Sequence, residues 1–225
     1  MQHLAAERFV PTSSPPPLGA DEVHLWLRTL DGVPNHREVT AAAHALLTRL
    51  LVRYAGLAQA PEIARGEHGK PYAPTLPGVD FNLSHARDHV LIAIARNQPV
   101  GVDLERIDRR IETQDLSRRF FARAEADALD ALPEAARLPA FLRLWTCKEA
   151  VLKAIGEGIG FGLDKVAFAL DGYGMPDGPA HIATEAGPRE EWQVALLEPA
   201  AGFLGALAWC GPPRHIRAFL AGADA

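Results

Sequence analysis

GVDLER at 101–106 and WTCKEAVLK at 145–153 are the stretches on which the reading of this chain turns. In an extended strand, side chains two apart leave the same face, with Cα atoms roughly 6.6 Å apart, so Asp103 and Glu105 point one way. Aspartate and glutamate differ by one methylene, and their oxygens can still converge on one hard cation. The second stretch reads as a helix, on which Glu149 and Lys153 are four residues apart and share a face, about 6 Å along the axis. Three carboxylates and one ammonium are the parts needed to hold Mg²⁺ and a pyrophosphate together. The pattern outlines a phosphoryl-transfer site.

Each motif also has an ordinary explanation. Acids at a strand end pair with nearby bases, here Arg106 or Arg109. A Glu-x-x-x-Lys pair is usually a surface ion pair worth about 0.2–0.5 kcal/mol. Here the same helix carries Phe141, Leu144, Trp145, Leu152 and Ile155 as a core stripe. Glu149 continues the row from Trp145, so it lies at the edge of the buried face. An acid there needs a partner, and a metal ion is a good one.

The two motifs together resemble the signature motifs of the Sfp-type 4′-phosphopantetheinyl transferases. GKP at 69–71, FNLSH at 81–85 and FFARAE at 120–125 agree, in family order from Gly69 to Gly162. KEA replaces the KES of some members, which bears on subgroup rather than chemistry. The resemblance implies an α+β fold of two similar halves related by a pseudo-two-fold axis, with the site at their junction. Residues 1–108 would form the N-terminal half, with the coenzyme A-binding elements and the first metal motif. Residues 109–225 would form the C-terminal half, with the second metal motif and the carrier-docking surface. The implied reaction moves the phosphopantetheine arm of coenzyme A to a serine of an acyl or peptidyl carrier protein, releasing adenosine 3′,5′-bisphosphate.

The resemblance also implies roles. Asp103, Glu105 and Glu149 would hold Mg²⁺, with Mn²⁺ an open second choice. Glu149 is also the favoured general base, and Lys153 contacts the phosphates, with Lys148 as a second positive charge or a solvated side chain. His85 meets a coenzyme A phosphate, Ser84 adds a donor, and Lys70 and Pro71 line the adenine end. Arg37, Arg49 and Arg53 are candidates for the 3′-phosphate. Read without the family, Ser84 and His85 are loop hydrogen bonding, GKP is a Gly-Pro turn and the arginines are a solvated helix face. His24, His36, His44, His68 and His181 form no constellation and read as structural or solvent-facing. GEGIGFG at 156–162 follows a helix rather than opening one, so Gly156 reads as a helix C-cap and not as part of a phosphate loop.

Composition narrows the alternatives. With 225 residues, 48% hydrophobic and 23% charged, the chain is an ordinary soluble globular protein. A net charge of −5 argues against a dedicated nucleic-acid binder. Two cysteines without CxxC spacing point to a reduced, cytoplasmic setting. The apolar runs at 90–95 and 203–210 are too short to span a membrane. A Mg²⁺-dependent nuclease or phosphodiesterase would need a basic groove. A non-catalytic coenzyme A-binding module would have no use for three metal carboxylates. Arg118, Arg119 and Arg123 around Phe120 and Phe121 make a basic strip suited to an acidic carrier protein. Both motif halves lie in one chain, so a monomer is expected.

Periodicity supplies the elements. Residues 22–30 alternate as a half-buried strand, and 38–55 read as a helix stopped by Gly56. FNLSH is a strand with a polar tip, and 89–96 with 99–105 read as a hairpin across Asn97-Gln98. Helices are expected over 113–131 and 136–155, with Pro133 and Pro139 at their join, and strands at 165–170, 191–198 and 202–210. Residues 11–19 read as irregular.

Overall fold

Residues 89–96, HVLIAIAR, are apolar on both faces, and burying both faces requires a layer on each side. The computed structural model, which describes residues 1–12, 14–109 and 111–222, supplies those layers. In chain order it has β1 (Gln2–Ala5), β2 (Phe9–Thr12), β3 (Glu22–Thr29), α1 (His36–Ala55) and the short pair β4 (Ala64–Arg65) and β5 (Pro71–Tyr72). Then come β6 (Val79–Ala86), β7 (His89–Arg96), β8 (Gly101–Arg106), α2 (Thr113–Phe120), α3 (Arg123–Ala131) and α4 (Glu134–Ile155). The chain continues through β9 (Val166–Leu170), β10 (Pro176–Ile182), β11 (Trp192–Glu198), β12 (Phe203–Cys210) and β13 (His215–Ala221).

Two sheets stack back to back, in the orders β2-β13-β3-β7-β6 and β1-β11-β12-β8. Val90, Ile92 and Ile94 of β7 pack with Leu46, Leu47 and Leu50 of α1. Leu91, Ala93 and Ala95 point the other way, toward Val102, Leu104 and Leu207 of the second sheet. The outer face of that sheet, with Leu204, Ala206 and Ala208, is covered by α4. The result is a helix, two sheets and a second helix in layers, an α+β architecture as the sequence predicts. No described helix is long and apolar enough to cross a membrane.

The helices begin and end for local reasons. Asn35 Oδ1 accepts from the amides of Arg37 and Glu38, and the Glu38 side chain returns to the Asn35 amide, a full capping box. Gly56, at φ 61°, takes the left-handed conformation that closes α1. Gly156 ends α4 in the same way at φ 93°.

Several expectations of local structure are corrected. Strand β3 is not half-buried, because α1 covers the face that alternation assigned to solvent. His24 and Trp26 are fully buried there, both hydrogen-bonded to the Tyr54 hydroxyl. Strands β7 and β8 form no hairpin. The tight turn lies between β6 and β7, at Arg87-Asp88, while β8 pairs antiparallel with β12, a hundred residues away in sequence. The helix expected over 113–131 breaks at Phe121 and Ala122, both extended, and Pro139 lies inside α4 rather than before it. From Ala140 onward α4 is buried on nearly every side rather than along one stripe. In the sheets, β8 joins β11 and β12, and β13 joins β3.

Candidate active site

Gly101 sets how closely β8 meets α4. A Cβ there would lie 2.0 Å from the Ala150 carbonyl oxygen and 2.3 Å from the Ala154 nitrogen, so a side chain would push the two elements apart. Val102 and Leu104 enter the core between the sheets, and the alternate residues Gly101 and Asp103 turn toward α4. Strand β8 is the last in its sheet, and β6 of the other sheet runs beside it. Asn82 on β6 accepts from the Val102 amide at 2.9 Å, serving a backbone group that the strand edge would otherwise leave open.

Two residues further along β6, Ser84 Oγ donates to Asp103 Oδ1 at 2.9 Å. Lys153 Nζ, from the last turn of α4, donates to the same Asp103 oxygen at 2.6 Å, to Ser84 Oγ at 3.2 Å and to the Val102 carbonyl at 3.2 Å. The structure thus brings Ser84, Asp103 and Lys153 into one network from three elements.

The acids beside that network are not fully satisfied. Asp103 is 5% exposed and Glu149 is 9% exposed. Asp103 Oδ2 and Glu149 Oε1 are buried without a hydrogen-bond partner. Burial, and then the Asp103 charge, push the Glu149 carboxyl up to about 7, with Lys153 opposing. Burial and Asp103 also raise Glu105, which Arg109 partly offsets as its ion-pair partner. Arg106 pairs with Asp108. The ordinary reading of this strand end therefore holds for Glu105 but not for Asp103.

Among the described residues, no three His, Cys, Asp or Glu side chains are gathered closely enough to hold a metal ion. Asp103 and Glu149 nonetheless fit a hard cation. Each keeps a buried carboxylate oxygen without a partner, and such oxygens are costly unless something donates or coordinates to them.

Lys148 is not at this site. It is fully buried, 2.6 Å from Glu125, and its ammonium also donates to the carbonyls of Leu163 (3.0 Å) and Val166. Glu125 in turn accepts from the amides of Phe168 at 2.8 Å and Ala122 at 3.0 Å. The side chain next to Glu149 on the helix points into the C-terminal core, against α3, β9 and the Phe121 ring. The expectation that it meets the coenzyme or solvent is corrected.

Lys70 and Pro71 line a cavity of about 520 Å³ at the C-terminal end of α4, with Tyr72, Phe81, Gln98 and Ile155. Asp103, Glu149 and Lys153 do not line it. Lys70 is half-buried, and that burial lowers its ammonium to about 8, with Asp80 opposing. His85 faces the first turns of α1, with Nε2 3.4 Å from Thr40 Oγ1 and its ring 5.2 Å from that of His36. Burial lowers His85, and the charges of His36, Lys153 and His44 act in the same direction. His36 and His44 therefore belong near the site. Their spacing with Thr40, one helical turn apart each time, was the available signal. Arg37 lies in that same first turn, exposed. Arg49 and Arg53 sit twelve and sixteen residues on, about 18–24 Å along α1, so the three arginines cannot share one phosphate.

The basic strip is partly neutralised within the chain. Arg118 pairs with Asp130 at 2.7 Å and Arg123 with Asp127 at 3.6 Å, while Arg119 lies over the Phe120 ring. Phe121 is buried, stacked on Phe141.

Known proteins share this arrangement of sequence. The family model of the 4′-phosphopantetheinyl transferase superfamily matches residues 99–195, from the start of β8 into β11. The 4′-phosphopantetheinyl transferase HetI of Nostoc sp. is 31% identical, over 85% of this chain and 89% of its own length. The 4′-phosphopantetheinyl transferase Sfp of Bacillus subtilis is 32% identical, over 59% of this chain and 62% of its own. AcpT of Escherichia coli is 37% identical, over 53% and 58% respectively. Matched over 85% of its length by one such relative, with both acidic motifs inside the region that the family model covers, this chain belongs to the 4′-phosphopantetheinyl transferase superfamily.

Proposed function

We propose that this chain moves the 4′-phosphopantetheine arm of coenzyme A to a serine hydroxyl of an apo acyl or peptidyl carrier protein and releases adenosine 3′,5′-bisphosphate. The observation that carries the reading is the pair of unpartnered, buried carboxylate oxygens on Asp103 and Glu149 beside the Lys153 ammonium. Such a site is short of positive charge until a cation arrives, and a cation there can bring a phosphate with it. Family membership supports the reaction class.

Asp103 and Glu149 would hold Mg²⁺ (or Mn²⁺), with Glu105 joining them by releasing Arg109. Bound there, the ion would supply charge neutralisation for the pyrophosphate during transfer. Lys153 holds Asp103 in place, and it would meet the leaving phosphate by exchanging one of its two longer bonds, to Ser84 Oγ or the Val102 carbonyl. Ser84 keeps Asp103 Oδ1 oriented and its hydroxyl in reach of the same phosphates. His85, beside Thr40 and the His36 ring, offers a second donor for a coenzyme phosphate. Glu149 would also accept the serine proton. The cavity beside Pro71 and Tyr72 is the coenzyme side of the site. Both acidic motifs lie in one chain, which supports a monomer as the working unit, and the free Cys147 and Cys210 support a cytoplasmic setting.

The test is incubation with coenzyme A, Mg²⁺ and an apo carrier protein, followed by intact-mass measurement of the carrier. Addition of one phosphopantetheine to the carrier is expected. A carrier of unchanged mass with acyl, aryl and peptidyl carrier proteins alike would refute the reading.

A further inference from the structure

Lys70 spends its ammonium on two backbone carbonyls. Nζ donates to Ala154 O at 2.8 Å and to Val100 O at 3.3 Å, and among the described residues no carboxylate lies within ion-pair distance of it. Ala154 follows Lys153 directly, and Val100 stands three residues before Asp103. The two carbonyls therefore belong to the two segments that carry the acid cluster. Ala154 O is one of the last carbonyls of α4, which have no partner within the helix, and a cation there also complements the helix dipole. Gly156 leaves space for the lysine stem, since a Cβ on it would come 3.2 Å from Lys70 Cδ. Gly101 sets the approach of β8 to α4 from one side, and Lys70 ties the same two segments together from the cavity side.

We propose that Lys70 is a positioning residue for the acid cluster, a strut that holds the end of α4 to the start of β8 and so fixes Glu149 and Lys153 against Asp103. Its part in catalysis rests on the transferase reading above, but the strut itself does not. The coenzyme, on this account, meets Pro71 and Tyr72 rather than the Lys70 ammonium.

Lys70→Met keeps the stem against Gly156 and removes the donor. Its kcat for transfer is expected to fall about tenfold, with KM for coenzyme A within twofold of wild type, because the cost is misplacement rather than lost binding. Lys70→Arg, which can reach both carbonyls, should recover most of kcat. In the metal-free protein, amide exchange over residues 151–155 should quicken about tenfold in Lys70→Met as local opening becomes easier. Mg²⁺ affinity, read by calorimetry, should weaken as well. A raised KM with unchanged kcat would overturn the proposal and assign the ammonium to the coenzyme. Unchanged exchange and unchanged Mg²⁺ affinity would overturn it outright. If the wild type transfers nothing to any carrier, the transferase reading falls, and exchange and Mg²⁺ titration still decide the strut. Should Lys70→Met fail to fold, Lys70→Leu, which also removes the donor, carries the same two readouts.

Discussion

Lys148 and Lys153 stand five residues apart on one helix, and each lies 2.6 Å from a carboxylate. Lys148 is sealed from water, and all that it touches is complete: Glu125 and two carbonyls accept its hydrogen bonds, and two amides serve Glu125. Lys153 is about a quarter exposed, and its partner Asp103 keeps one buried oxygen with nothing to accept from. Five residues of helix separate a pair that completes the frame from a pair left short of a partner. A buried polar group left short is costly, and it persists where binding will satisfy it.

The largest effect expected from this contrast is on stability. Lys148→Met leaves Glu125 buried without its cation and should cost about 3–5 kcal/mol in urea unfolding. The double variant Lys148→Met/Glu125→Gln should recover at least half of that, and coenzyme A affinity should stay within twofold in both. A loss below about 1 kcal/mol would mean that the sealed pair does not hold the frame.

Next in size is a pH effect confined to the open pair. Glu149 has an ordinary value of 4.5 and stands at about 7 in the fold, so below pH 4.5 both states carry the proton. Between pH 4.5 and 7 the unfolded chain releases it first, and metal-free stability falls by an amount on the order of 3 kcal/mol, staying low above pH 7. Glu149→Gln removes that share of the slope. Urea unfolding in a chelator at pH 4.5, 6 and 8 should show variant and wild type diverging as pH rises, and parallel curves would contradict the assignment. The gain belongs to Glu149 and not to Asp103, because Asp103 loses contacts to Ser84 and Lys153 when it is removed.

The residues of the candidate site were largely legible in the sequence. Acids two apart and a Glu-x-x-x-Lys at helical spacing put Asp103, Glu149 and Lys153 on the right elements, and Gly56 and Gly156 ended the right helices. The assembly of those elements was less legible. Strand β8 finds its partner β12 across a hundred residues, and no local signal announces such a pairing, so a hairpin with β7 was the nearer guess. Strands β1 and β13 went unread because each pairs in parallel with a distant segment, with no turn between them to signal it. Lys148 was misread because motif spacing gives the helix face only when one face is buried, and α4 is buried on nearly every side. Asn82 was missed since its task, serving an edge amide of β8, exists only once the two sheets meet.

The smallest expected effect lies at the surface. With Arg118 on Asp130 and Arg123 on Asp127, Arg119 is the arginine of the strip that packs on an aromatic ring instead of an acid. Arg119→Glu should raise KM for the carrier by about two- to fivefold at low salt, leave KM for coenzyme A unchanged, and lose its effect near 1 M salt, where the Debye length is about 3 Å. Carrier kinetics unaltered at low salt would move the docking surface elsewhere.

The central claim is that the unsatisfied pair, and not the sealed one, is the seat of the chemistry. It is tested most directly by single-turnover transfer in Glu149→Gln at saturating Mg²⁺, coenzyme A and apo carrier. The account predicts a rate at least about a hundredfold below wild type, from a protein that folds as well as wild type and still binds coenzyme A. A rate within threefold of wild type would contradict it.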